Sequence, residues 1–169
     1  HRSLHVLCEK PLTVNSTEAM VLMNEAKKQK VFLMEAFMYR THPQTHEILK
    51  LVKEHFQDNK VLISSSFGFN APVPEDHRLR NPDLAGGAIL DVGCYPLSIL
   101  NLFYKDPDSY KFLNTKGNFT HTNVDDFAEA EIEINKKIRC QIKVSFKENY
   151  QNKTIIEGQK GKLIINSPW

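Results

Sequence analysis

Hydrophobic and polar positions near the start of the chain predict a strand, a helix and a second strand. Residues 5–8 form an apolar run that we expect to be a buried strand, and residues 31–37 form another. Between them, residues 17–29 have the pattern of a helix capped by Asn15 or Ser16. A strand, helix and strand in about 30 residues are typical of a βαβ crossover. The pattern therefore predicts the closing unit of a parallel sheet.

The pattern changes after Arg40, where helices come first and strands follow. Helices are predicted from Pro43 to His55 and over residues 87–103, with a loop rich in Pro, Asn and Asp before the second. Strands are predicted at 61–69, 110–119, 125–134, 138–147 and 153–157, and the segment "GKLIINSPW" at the end indicates one more. We expect the strands after residue 110 to form an antiparallel meander within an α+β domain.

Strict alternation in two neighbouring strands predicts a sheet with one buried and one open face. In "IRCQIKVSF", residues 138–146, every second residue is apolar and the residues between are mostly polar. If residues 135–137 close a hairpin, Glu133 faces Arg139 and Glu129 faces Lys143. The polar face would then carry paired charges of opposite sign.

Composition and charge exclude several classes of function. The 169 residues are 41% hydrophobic and 25% charged, which is ordinary for a globular protein. The net charge of +2 comes without a basic tract, so we expect no nucleic-acid or anionic-membrane partner. No uninterrupted apolar run approaches the length of a membrane span.

Cysteine and histidine positions favour a reducing compartment and no metal site. The three cysteines are odd in number and far apart, which suits the cytoplasm better than a disulfide framework. Glycosylation-type triplets at Asn15, Asn118 and Asn152 leave secretion as the alternative. We expect no bound metal, since His42 precedes Pro43 and so cannot share a helix with His46.

Two short stretches carry the candidate chemistry. "CEKP" places Glu9, Lys10 and Pro11 after the first strand, and strand ends are where open α/β sheets bind ligands. "DVGCY" places Asp91 and Tyr95 four residues apart, on one face of the predicted helix. The glycine between them would let a flat ligand approach. Taken alone, an Asp and a Tyr on a helix are more often a cap or a buried hydrogen bond than a catalytic pair.

Together the two stretches resemble the Gfo/Idh/MocA oxidoreductases. "MEAFMYRTHPQ" at 34–44 and "HRLRNPDLAGGAILDVGCYPLS" at 77–98 add to the resemblance, which is nearest to the dihydrodiol and sugar dehydrogenase branch. It implies the end of a Rossmann domain over residues 1–40 and an α+β substrate and oligomerisation domain over residues 41–169, with a large, mostly antiparallel open sheet. It also implies NAD or NADP, a sugar or cyclic diol substrate, and a homodimer formed through the open sheet.

The resemblance assigns roles residue by residue. Hydride transfer must be matched by transfer of a proton, for which a phenol beside an ammonium is well suited. Tyr95 would be the proton donor or acceptor, Lys10 would orient the substrate oxygen, and Asp91 would hold the substrate or the lysine. The remaining assignments are Glu9, Lys10, Pro11 and Arg40 at the cofactor, and Met38 and Phe69 with Asp91 at the substrate. Met38 and Phe69 could equally belong to the core, and Arg40 could instead brace the domain junction.

One feature of the family is missing from the sequence. The seven glycines contain no G-x-G-x-x-G spacing, so a phosphate-binding loop is absent and we expect an internal fragment that is itself inactive. The alternatives are a non-catalytic family member that regulates or supports assembly, and an unrelated module for protein association. Lys10, Asp91 and Tyr95 together favour the enzyme.

Overall fold

The computed structural model describes residues 3–57, 60–105 and 109–169. In chain order, its helices and strands are β1 (Val6–Glu9), α1 (Ser16–Lys28), β2 (Leu33–Ala36), α2 (Pro43–His55), β3 (Val61–Gly68), a π-helix (Ile89–Gly93), α3 (Cys94–Phe103), β4 (Tyr110–Phe119), β5 (Asp125–Ile134), β6 (Ile138–Ser145), β7 (Lys153–Gly158) and β8 (Gly161–Asn166). Short 3₁₀ turns lie at Met38–Thr41, Arg78–Arg80 and Pro82–Leu84. The chain divides into two compact units, His1–Met38 and Tyr39–Trp169, and the domain boundary after residue 40 stays a prediction.

The first unit is the predicted βαβ crossover. Strands β1 and β2 pair in parallel, with Val6 opposite Leu33 and Glu9 opposite Ala36. Helix α1 begins where the Asn15 side chain accepts a hydrogen bond from the backbone of Glu18, at 2.9 Å. Of the two proposed caps, Asn15 is the one used.

The apolar side chains of β1 and most of those of α1 are exposed, which corrects the prediction that the first strand is buried. Val6 is 44% exposed and Leu7 is 68% exposed, and helix α1 has no buried residue. Hydrophobicity makes burial favourable, but burial also needs a covering element. Few described residues pack over the side chains of β1.

The second unit is built on a six-stranded mixed sheet in the order β4-β5-β6-β3-β7-β8. Strand β3 runs parallel to β6 and antiparallel to β7, and the remaining pairs are antiparallel. The predicted α+β class with a mostly antiparallel sheet is confirmed. The simple meander is wrong, because β3 lies between β6 and β7. Segment 146–152 joins β6 to β7 across β3. Neighbouring strands lie about 5 Å apart, so seven residues are enough to cross one strand.

Alternate residues of the sheet form the core against the helices. The sheet contributes Ile63, Ile132, Ile134, Cys140, Ile142, Val144 and Ile156, and the helices contribute Ile48, Val52, Val92, Ile99, Leu100 and Phe103. On the opposite face, Glu129 pairs in register with Lys143 and Glu133 with Arg139, as predicted. Arg139 nevertheless forms its ion pair with Glu131, its diagonal neighbour on the adjacent strand. The distance between Nη1 of Arg139 and Oε1 of Glu131 is 3.3 Å.

One helical segment of the described chain is long and apolar enough to span a membrane, by length and composition alone. It runs from Pro82 to Phe103, and 67% of its most apolar window is buried inside the protein. Because the segment is mostly buried against the sheet, it has the properties of a core element.

Two glycines differ in what surrounds them. A Cβ at Gly68 would fall 2.4 Å from Cδ2 of Tyr150 and 2.6 Å from the Glu148 carbonyl oxygen. A Cβ at Gly93 would lie 3.5 Å from Val144 and from the Ala88 carbonyl oxygen, which is ordinary contact. Gly93 therefore contacts strand β6 and also lines a cavity of about 400 Å³ with Ile89 and Leu97, so the approach of a flat ligand stays a prediction.

We expect Gly68→Ala to lower the free energy of unfolding by about 1–3 kcal/mol, because the Tyr150 ring or the backbone must move. The matched variant Gly93→Ala should be neutral or stabilising by up to about 1 kcal/mol, since it replaces a helical glycine without a clash. Urea unfolding of both variants measures the difference. Equal stabilities would contradict the packing described around Gly68.

Candidate active site

The helix that carries Asp91 and Tyr95 begins as a π-helix. The turn Ile89–Gly93 leads directly into α3, whereas the sequence pattern predicted regular helix from residue 87. A π-turn places one more residue in each turn than the 3.6 of an α-helix, and such turns often occur at functional sites. Asp91 and Tyr95 are still about one turn apart along this segment, and their predicted place on one face stays a prediction.

A carboxylate from β5 holds the start of this helix. Oδ2 of Asp125 accepts a hydrogen bond from the backbone N–H of Ile89, at 2.7 Å. Gly87, with φ of 108°, lies directly against this carboxylate, where a Cβ would collide with Oδ1. The "AGG" sequence is thus explained by a left-handed turn and a close approach to Asp125.

Burial raises the pKa of Asp125 above its ordinary value, although hydrogen bonds from Ile89 and Ala88 act in the opposite direction. The folded state consequently binds the proton of this carboxyl more tightly than the unfolded state does. The stability that the protonated form contributes is present at low pH and is lost as pH rises through the folded-state pKa.

Asp91 is buried and forms an ion pair with Arg78. Nη2 of Arg78 lies 3.0 Å from Oδ1 of Asp91. The Asp91 side chain is 6% exposed, whereas that of Arg78 is 55% exposed. A buried carboxylate needs a counter-charge, so this pair fastens the loop before the helix to the π-turn.

Tyr95 lies at the start of α3 in a cluster of aromatic rings and is 7% exposed. Its ring centroid is 5.4 Å from that of Phe67, 6.1 Å from that of Trp169 and 6.2 Å from that of Tyr39. Phe67 and Trp169 stack on each other at 5.3 Å. The rings hold the phenol of Tyr95 in a fixed orientation, and a phenol can both donate and accept a proton.

Arg40, predicted at the cofactor, makes a hydrogen bond within the second unit. Its Nε donates to Oγ of Ser98 on α3 at 3.2 Å, and Tyr39 Oη donates to the same oxygen at 2.7 Å. Burial raises the pKa of Tyr39 above its ordinary value, and the contacts with Ser98 and Arg40 oppose that change. This geometry is that of a brace on α3, while the cofactor contact of Arg40 stays a prediction.

The other predicted residues lie as follows. Glu9 ends β1, and the Lys10–Pro11 peptide that follows it is cis. The backbone N–H of Leu12 donates to Oε1 of Glu35 at 2.8 Å, which ties this loop to β2. Met38 is 71% exposed. In the second unit, Phe69 follows β3 and its N–H donates to the Ser145 carbonyl.

Sequence reasoning missed Asp125, Ser98 and Trp169, and for Arg78 it favoured holding the proline-rich loop over binding substrate. No sequence spacing connects Asp125, Trp169 or Arg78 with the helix, because they come from β5, the last residue of the sequence and an irregular loop. Ser98 lies on α3 itself, and its role became clear only from the hydrogen bonds that it accepts from Tyr39 and Arg40. Among the described residues, no three His, Cys, Asp or Glu side chains gather as a possible metal site. Cys8, Cys94 and Cys140 are not joined in disulfides.

A mixed sheet with an Asp- and Tyr-bearing helix on one face defines a known class of domain. The GFO/IDH/MocA C-terminal domain matches residues 46–164. The chain therefore belongs to the GFO/IDH/MocA family.

Relatives with similar sequences are dehydrogenases. The chain is 45% identical to D-xylose 1-dehydrogenase (NADP(+)) 2 of Haloferax volcanii over 107 residues, 63% of this chain and 33% of that protein. It is 33% identical to trans-1,2-dihydrobenzene-1,2-diol dehydrogenase of Xenopus laevis over 165 residues, 96% of this chain and 48% of that protein. The chain thus spans half or less of the length of these relatives.

Solved structures have the same fold. A Tyr-to-Phe variant of a 3-ketoreductase from Actinomadura kijaniata, in complex with TDP-benzene and NADP, matches with a TM-score of 0.86 and 27% identity, over 97% of this chain and 50% of that one. An aldose-aldose oxidoreductase from Caulobacter crescentus matches with a TM-score of 0.85 and 21% identity, over 97% of this chain and 50% of that one.

Asp125→Ala should lower the free energy of unfolding by about 1 kcal/mol, through loss of the acceptor for the Ile89 N–H. Asp125→Asn keeps an acceptor and removes the buried charge. As pH rises from about 3 to about 7, the asparagine variant should gain stability relative to the wild type. Urea unfolding across this range measures the change, with Asp83→Asn on an exposed turn as the control. If the difference in free energy of unfolding between Asp125→Asn and the wild type does not change with pH, the raised pKa of Asp125 is contradicted.

Proposed function

We propose that the whole protein is an NADP-dependent oxidoreductase that transfers a hydride to or from a secondary alcohol or carbonyl. The substrate class is a sugar, a sugar derivative or a cyclic diol. The observation that carries this proposal is the phenol of Tyr95, held by aromatic rings on the helical segment that also carries Asp91, the partner of Arg78. The D-xylose and dihydrodiol dehydrogenases and the NADP-bound ketoreductase support the substrate class and the cofactor.

The residues at the end of β1 suit one end of a nicotinamide cofactor. Glu9, Lys10 and Pro11 lie at the carboxyl end of a strand in a parallel pair, where open α/β sheets bind nucleotides. No glycine spacing in the chain fits the pyrophosphate, so these residues would serve the nicotinamide end. The cofactor supplies or accepts the hydride, and the chain's own residues must manage the proton.

Tyr95 is the proposed proton donor or acceptor, and Lys10 is proposed to orient the reacting oxygen. Solved structures of the Actinomadura ketoreductase include a Tyr-to-Phe variant and Lys-to-Ala and Lys-to-Glu variants, which concern the same two residue types. Met38, Phe69 and Arg40 keep their proposed places at the substrate and the cofactor. The protein is proposed to be cytoplasmic, and three cysteines outside disulfides suit a reducing compartment.

We also propose that the protein forms a homodimer through the open face of the sheet. Lys143 lies on this face 3.5 Å from Glu129, and its Nζ is 4.7 Å from the ring centroid of Tyr150 and 5.5 Å from that of Phe127. Glu129, Lys143 and Tyr150 border a broad hollow of about 710 Å³. A face with aromatic rings and charges of both signs can be self-complementary across a two-fold axis.

In the whole protein, Tyr95→Phe should lower kcat with NADP⁺ and D-xylose by at least about 100-fold, because the proton then has no acceptor. Tyr110→Phe removes a phenol oxygen on β4 and serves as the matched control, with kcat expected to stay within about threefold. NADPH absorbance measures both. If Tyr95→Phe keeps the wild-type kcat across the pH range, Tyr95 is a packing residue and its proposed role is wrong.

Lys143→Glu places two like charges opposite each other on the open face, so we expect the dimer to dissociate. Lys50→Glu makes the same change on the exposed surface of α2 and should leave the dimer intact. Sedimentation velocity at several concentrations tests both variants. A wild-type protein that stays monomeric at high concentration would contradict dimer formation through the sheet.

A further inference from the structure

The ion pair between Arg78 and Asp91 reverses the roles that the sequence suggested. The carboxylate, expected to meet the substrate, is 6% exposed, whereas the guanidinium is 55% exposed. A polar group needs access to its ligand in order to bind it. Of these two groups, Arg78 is the one that a substrate can reach.

Arg78 also has bonding capacity beyond this pair. Its contact with Asp91 is made through one terminal nitrogen, Nη2, at 3.0 Å. A guanidinium carries five N–H donors in a rigid planar fork. One edge can therefore hold Asp91 while another donates to a ligand.

The backbone around Arg78 is fixed before any ligand binds. The N–H of Leu79, which is 3% exposed, donates to Nδ1 of His77 at 3.2 Å. The Arg78 carbonyl accepts the N–H of Asn81 at 3.1 Å, and Gly86 lies against this same carbonyl. A side chain held at both its backbone and its carboxylate partner loses little entropy on binding.

Charge indicates which ligand this group suits. Asp91 already neutralises Arg78 locally, so the pair offers directed N–H donors without a net positive charge. Neutral hydroxyl groups fit such a donor better than phosphate or carboxylate does. Asp91 precedes the proposed proton-transfer residue Tyr95 by four residues, about one turn of the same helical segment.

We propose that Arg78 is a substrate-binding residue that donates hydrogen bonds to neutral hydroxyl groups of the sugar or diol, and that Asp91 is its positioning residue. This inference rests on the proposed oxidoreductase function. It assigns substrate recognition to an irregular loop, in addition to the helix that carries Tyr95.

The test compares Arg78→Lys with the wild type in the whole protein. Lysine keeps the charge beside Asp91 but lacks the planar fork, so a purely structural Arg78 would tolerate the change. We expect KM for D-xylose to rise about 10-fold to 100-fold, with kcat within about threefold and KM for NADP⁺ unchanged. Arg80→Lys makes the same exchange in the same 3₁₀ turn and should leave KM for D-xylose within about twofold.

Deoxy analogues of D-xylose identify the hydroxyl group. For the analogue that lacks the contacted hydroxyl, wild type and Arg78→Lys should have the same KM. An unchanged KM for D-xylose in Arg78→Lys would show that Arg78 only fastens the loop. If Arg78→Lys raises KM by the same factor for every deoxy analogue, no single hydroxyl group is contacted and the proposal is also overturned.

A second measurement separates this inference from the proposed function. If the wild-type protein does not reduce NADP⁺ with D-xylose or with a trans-dihydrodiol, the proposed function fails. Calorimetric titration of D-xylose then tests Arg78 alone. Binding that weakens about 10-fold or more in Arg78→Lys supports the inference, and binding that is absent or equal in the two proteins overturns it.

Discussion

The buried carboxylate of Asp91 is the constraint on which the local structure depends. A carboxylate that is 6% exposed is stable only beside a counter-charge, and Arg78 supplies it. This requirement places the loop before the helix over the π-turn. A second carboxylate, that of Asp125, accepts the N–H of Ile89 at the first residue of the same turn. Two carboxylates from different parts of the chain thus fix the start of the helix, which in turn holds the phenol of Tyr95 among aromatic rings.

Much of the second unit could be predicted from its alternating pattern. In β5 and β6 the alternation of apolar and charged residues defines the faces, and the observed register places Glu129 opposite Lys143 as expected. The position of β3 could not be predicted this way. A strand with a buried and a half-polar face suits many neighbours, so its pattern does not say which strand lies beside it.

The site was only partly predictable, for a similar reason. Local spacing identified Asp91 and Tyr95, but it did not indicate that the helix carrying them begins as a π-turn. Arg78 and Asp125 contact this segment from a loop and from the start of β5, and neither has a periodic relation to it. In β1, apolar side chains indicated burial, yet burial depends on covering residues that a strand's own pattern does not encode.

A crystal structure of the whole protein with NADP⁺ and D-xylose tests the central claim most directly. The distance to measure is that from Tyr95 Oη to the substrate oxygen at the carbon that faces the nicotinamide. Our account predicts a hydrogen bond of about 2.6–3.2 Å, made directly or through one water. A phenol that points into the core, with that oxygen held by other side chains, would contradict the account.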